Sequence, residues 1–102
     1  MSSALHALAI GAKFTNVAAA ATTVIKASPG ILHRIVVNTA LATGTLTIYD
    51  NASAGSGTKL GTVTIPATPA PSHFVLEFGC AFANGLTIVG ATANIDYTAV
   101  YS

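Results

Sequence analysis

Hydrophobic and polar residues alternate along most of this chain with the two-residue period of an extended strand. In TLTIY, residues 45–49, Leu46 and Ile48 fall on one face and three polar-edged side chains on the other. HFVLEF, residues 73–78, puts Phe74, Leu76 and Phe78 on one face, where each contributes about 1.5–3 kcal/mol on full burial. Residues 94–101 set Ile95, Tyr97, Ala99 and Tyr101 on one face. ILHRIVV, residues 31–37, is apolar on both faces. That marks a central strand, or one whose outer face meets another subunit. Shorter extended runs cover residues 22–27, 60–65 and 86–89. Phe82 is placed to reach back to the core. No helical period competes with this pattern over any comparable length.

Turn chemistry punctuates these runs. Ser28-Pro29-Gly30 opens the stretch from Lys26 to Gly61, which reads as two successive hairpins. Asn38 to Gly44 forms a polar turn between them. Asp50 and Asn51 begin a loop in which both side chains can accept backbone amides. Residues 52–58 hold two glycines and two serines and read as an exposed, mobile tip. Pro66, Pro69 and Pro71 cannot donate to a ladder, so residues 66–72 form a connection long enough to cross between sheets. Gly79 breaks the strand before it, and Asn84-Gly85 marks another turn. Seven or eight short strands at roughly 8–12-residue spacing define an all-β antiparallel sandwich or jelly roll. Residues 22–102 form the single domain, and residues 1–21 form an N-terminal arm or edge strand. No Lys or Arg precedes Lys13, which does not fit a secretory leader. His6, Gly11, Lys13 and Asn16 interrupt any membrane-length apolar window.

Composition changes the picture in one respect. Of 102 residues only 7% are charged, against about 25% in ordinary domains, while 52% are hydrophobic. A monomer of this size exposes roughly 5,300 Å². Its charges cannot cover that area, so uncharged patches of the kind that mark contact surfaces are left over. The protein is therefore expected to assemble with itself. Leu5, Leu8, Ile10 and Phe14 of the arm, with Tyr97 and Tyr101, are the candidate interface residues. A net charge of +1, with Lys13, Lys26, Arg34 and Lys59 scattered, gives no footprint for nucleic acid.

Candidate chemistry is sparse. His6, His33, His73, Cys80, Asp50, Glu77 and Asp96 show no metal-ligand spacing, so no metal and no cofactor are expected. No Gly-x-Ser-x-Gly elbow, phosphate-binding Gly-rich loop or dense carboxylate loop occurs, so no catalytic residue is assigned. His33 reads as a core or interface histidine. Cys80, flanked by Gly79 and Ala81, reads as a small buried hydrophobe.

The pattern Val24-Ile25-Lys26-x-x-Pro29-Gly30-x-Leu32-x-x-Ile35-x-Val37, then Gly44-Thr45-x-x-Ile48-Tyr49-Asp50, then Asn84-Gly85-Leu86, resembles a group of small virion proteins of tailed bacteriophages. The likeness spans about residues 22–102. It includes the Pro-rich connection, the aromatic strand at 74–78 and Asp96-Tyr97-Thr98. It implies a β-sandwich carried on the particle and transfers no catalytic residue. The expectation is a head decoration (cement) protein, trimeric or otherwise clustered over junctions of the major capsid protein, with the arm strapping a neighbour. A fibre or tail module that binds a host-surface receptor or glycan is the alternative, as is a tail or connector ring component. On this reading the protein assembles in the host cytoplasm and resides in the virion, with neither nucleic acid nor membrane as partner.

Overall fold

The computed structural model describes residues 12–40, 43–66, 74–92 and 94–102. They form eight strands: β1 (Lys13–Val17), β2 (Thr22–Lys26), β3 (Gly30–Ala40), β4 (Gly44–Asp50), β5 (Thr58–Ile65), β6 (Phe74–Phe82), β7 (Leu86–Ala91) and β8 (Ile95–Tyr101). All pairings are antiparallel, and the strands lie in two four-stranded sheets. Sheet A has the order β1-β8-β3-β6 and sheet B the order β2-β7-β4-β5. The pairs β1·β8, β2·β7, β3·β6 and β4·β5 are nested, as in one long hairpin bent upon itself. Two further pairs, β3·β8 and β4·β7, stitch each sheet across its middle. This is a jelly roll, the sharper of the two expected architectures.

Several local expectations change with this topology. Only β4–β5 is a hairpin within the stretch from Lys26 to Gly61. β3 and β4 lie in different sheets, so the polar turn between them is a crossover. The connection through the prolines likewise joins sheet B to sheet A, as their spacing predicts. The strand of residues 31–37 extends to Ala40, beyond the expected turn at Asn38. Its register against β8 skips one residue at His33 and one at Asn38, so two bulges bend β3 across the sheet. These offsets let Leu32, Ile35 and Val37 all reach the core. Gly79 does not end its strand. At φ +62 it makes a bulge with Phe78 opposite His33, and β6 continues to Phe82.

The core fills the space between the sheets. β3 and β8 contribute Leu32, Ile35, Val37, Ile95, Tyr97 and Ala99. β4, β5 and β7 contribute Leu46, Ile48, Ile65, Leu86 and Ile88. Tyr97 and Phe82 are the largest fully buried side chains. The expected anchors on β6 are more peripheral: Leu76 and Phe78 are only partly buried, because β6 is an edge strand. The phenol of Tyr97 is buried without a hydrogen-bond partner, and Thr23 sits near it without bonding geometry. Burial pushes this phenol up to about 12, an effect that the Thr23 hydroxyl partly offsets.

Two substitutions test this core. Leu46→Ala removes a side chain held between β7 and β5, so denaturant unfolding is expected to show a loss of about 2–5 kcal/mol. Tyr97→Phe removes an unpaired buried hydroxyl and is expected to stabilise by about 1 kcal/mol in the same experiment. A loss of stability on Tyr97→Phe would mean that the hydroxyl has a partner.

Candidate interaction surface

The outer faces of the two sheets differ in chemistry. On sheet B the outward rows hold Thr22, Thr45, Thr47, Thr62 and Thr64, polar side chains suited to water, together with Val24, 42% exposed on the edge strand β2, and the half-buried Val89. Sheet A faces outward with Phe14, Ile31, Val36, Val75 and Val100. Of these, Phe14 is 74% exposed, Val75 46% and Ile31 43%. Register places them in rows: Phe14 beside Val100 and Arg34, and Val36 between Thr98 and Val75. Among the described residues the one ion pair on this face, Arg34 Nε to Glu77 Oε2 at 3.4 Å, is long and solvent-exposed. Such pairs are worth about 0–1 kcal/mol. It neutralises the face without making it attractive to a charged partner.

A polar node borders this apolar area. The Asn16 amide donates to Asp96 Oδ1 at 2.8 Å, to the Tyr97 carbonyl at 3.0 Å and to Thr98 Oγ1 at 3.2 Å. The Asn38 amide donates to the same Asp96 and Thr98 oxygens at 3.1 and 3.2 Å. Asp96 thus ties β1 and β3 to opposite sides of β8, a role that sequence gave no reason to assign. Asn38 reaches it because the bulge there turns its side chain toward β8.

At one end of the sandwich a second polar cluster locks the crossovers. The backbone amides of Ala83, Asn84 and Gly85 donate to the Asp50 carboxylate at 2.9, 2.8 and 3.3 Å. These bonds hold its pKa below the ordinary value, partly opposed by desolvation. Asp50 therefore caps a turn, but a turn more than 30 residues away rather than its own loop. Asn51 does cap its own loop. Its Oδ1 accepts the amides of Ser53 and Ala54 at 2.8 Å, and its Nδ2 donates to the Ser56 carbonyl at 2.9 Å. Thr87 Oγ1 donates to the Asn51 carbonyl at 2.7 Å. Residues 52–58, expected as an exposed tip, are mostly exposed, but Gly55 comes close to Val89 of sheet B. A β-carbon on Gly55 would collide with Val89, and one on Gly85 would come within 2.6 Å of Ala52 Cα. Both glycines are needed for close approach of the backbone.

The candidate interface residues divide three ways. Leu5, Leu8 and Ile10 lie outside the described residues, as do His6 and His73. Phe14 is the most exposed large hydrophobic side chain described, and it lies on β1 rather than on a detached arm. Tyr97 and Tyr101 are corrected. Both rings belong to the core, because the inward face of β8 is their face, so neither is presented to a partner. Ile31 and Val75 were not singled out. The signal for Ile31 was the two-sided apolar character of its strand, and the signal for Val75 was its place on the face opposite Phe74, Leu76 and Phe78. His33 Nε2 bonds Ser102 Oγ at 3.0 Å, and Cys80 is a partly buried free thiol packed on the core. Among the described residues no three His, Cys, Asp or Glu side chains gather as metal ligands. No family model, curated protein or solved structure matches the chain.

The Asp50 cap has a definite pH signature. With its folded pKa below the ordinary 3.8, its stabilisation is present in full above that value. It is lost as pH falls through the lower, folded value. Asp50→Asn is expected to melt at a lower temperature than the parent at pH 7, with the gap closing below pH 3.8. Scanning calorimetry across that range checks it, and a gap that persists unchanged in acid would refute the cap.

Proposed function

We propose that this protein is a non-enzymatic structural subunit of a tailed-bacteriophage particle. In this reading it is a head decoration, or cement, protein that self-associates and binds across subunits of the major capsid protein. The observation that carries the reading is the set of exposed apolar side chains on the outer face of sheet A: Phe14, Ile31 and Val75, with the half-buried Val36 beside Val75. An exposed patch of this kind marks a protein contact. Sheet B exposes Val24 among its threonines, so sheet A is the more apolar of the two faces. Such a subunit suits a shell, in which the more apolar side meets the capsid and the threonine-rich side meets water. The residues that resemble phage virion proteins fall on β2, β3, β4, β6, β7 and β8 and on turns and connections between strands, so the likeness is one of scaffold. Many copies on one particle allow a modest affinity per site to suffice.

A receptor-binding fibre or tail module would need aromatic side chains on an exposed loop edge. With Tyr97 and Tyr101 in the core, Tyr49 is the tyrosine left partly exposed, and it packs near Gly55. That observation favours the shell over the glycan reading. A tail or connector ring component remains an outcome of the same test.

Antibody labelling of phage particles produced by cells that make the protein distinguishes these readings. Uniform label over heads is the expected result. Label at a tail tip or fibre moves the protein to the receptor module, label at the neck or along the tail moves it to a ring, and unlabelled particles remove the virion reading. Purified Val75→Glu is expected to re-bind particles lacking the protein roughly tenfold more weakly than the parent, about 1.4 kcal/mol.

A further inference from the structure

A β-sandwich exposes four edge strands, here β1 and β6 on sheet A, and β2 and β5 on sheet B. Natural sheets protect such edges from pairing with other chains, often by a bulge that bends the strand away. Three of the four edges carry this protection on the edge strand itself. β2 has one extra residue at Ile25, between Val24 and Lys26. β5 has one extra at Leu60, opposite the step from Ile48 to Tyr49. β6 has its bulge at Phe78 and Gly79. β1 has none: all five residues pair in unbroken register with β8, from Lys13 with Tyr101 to Val17 with Tyr97. Among the described residues, no strand pairs with its outer edge.

We propose that β1 is a dimerisation edge, and that its occupant is β1 of a second copy of this chain, antiparallel and centred on Thr15. The sequence KFTNV fits itself in that register. Thr15 faces Thr15 of the second copy, a favoured cross-strand pair. Phe14 faces Asn16, and Lys13 faces Val17, so the two lysines lie at opposite ends of the contact and no like charges oppose each other. The two Phe14 rings, each on the outer face and almost wholly exposed in one copy, become diagonal neighbours within aromatic reach. Asn16 is already folded back onto Asp96, Tyr97 and Thr98, which leaves room beside Phe14. The contact is isologous, so it closes as a dimer rather than the trimer that the resemblance suggests, and it cannot grow into a fibre through β1. Sheet A then runs unbroken through eight strands, and its apolar outer face doubles in width. This inference stands on the edge geometry and does not need the capsid reading.

The test combines solution mass with register-specific cross-linking. Light scattering of the full chain is expected to give a dimer, and Phe14→Glu to give a roughly tenfold weaker one. In a Cys80→Ala background, Thr15→Cys is expected to form a disulfide-linked dimer with diamide. Directly opposed residues lie about 4.5–5.5 Å apart at Cα, within disulfide reach. Val17→Cys, on the same strand and face, sits roughly 14 Å from its own copy in this register and is expected not to link. A trimer or larger ring without the Thr15→Cys link overturns the β1 contact but leaves an assembling subunit. A monomer at every concentration overturns both. A monomer whose β1 amides resist hydrogen exchange until residues 1–11 are deleted assigns the edge to the chain's own preceding segment, and that too overturns the proposal.

Discussion

The insertion of β8 between β1 and β3 is the constraint on which the rest of this fold depends. β8 is the only partner of β1 among the described strands, and it is one of the two partners of β3. Its inward residues, Ile95, Tyr97, Ala99 and Tyr101, are all buried and form the middle of the sheet A side of the core. Its outward residues Asp96 and Thr98 hold Asn16 on one neighbour and Asn38 on the other. Backbone pairing, side-chain packing and the polar node therefore all run through seven residues. Removing any one of these contributions leaves the other two without their geometry.

Alternation made most of the inward-facing residues legible in advance. Leu46, Ile48, Ile95 and Ala99 lie where a two-residue period puts them, and Phe82 reaches the core as its position suggested. The period fails at bulges, which shift phase without any residue of unusual type. Leu32 and Ile35 are both inside although simple alternation separates them. Connections were the weakest point. A short polar turn joins β3 to β4 just as a hairpin turn would, and nothing local says that its two strands belong to different sheets. The Asp50 cap was hidden for a related reason: its three donors lie more than 30 residues away. The tyrosines on β8 were placed correctly on a common face, and that face proved to be the inner one.

The scarcity of charge has a structural counterpart in how edges and faces are protected. With few lysines to spread along its edges, this sandwich relies on bulges at β2, β5 and β6, and on a loop packed over the outside of sheet B. Of the large hydrophobic side chains left exposed, Phe14, Ile31 and Val75 lie on sheet A and Val24 on the edge of sheet B. The jelly roll by itself carries no activity, and a fold of this type serves many unrelated roles.

The nested pairing also sets a schedule for synthesis. Lys13 pairs with Tyr101, so the full register of β1 cannot form until the ribosome has added 88 residues after Lys13 (101 − 13). At roughly 5–20 residues per second that interval is about 4–18 s. For the first part of it β3, largely apolar on both faces, has neither neighbour; β6 is complete at Phe82 and β8 only at Tyr101. A cell making this protein in quantity must keep nascent chains apart for that interval, which makes translation speed and holding chaperones determinants of yield.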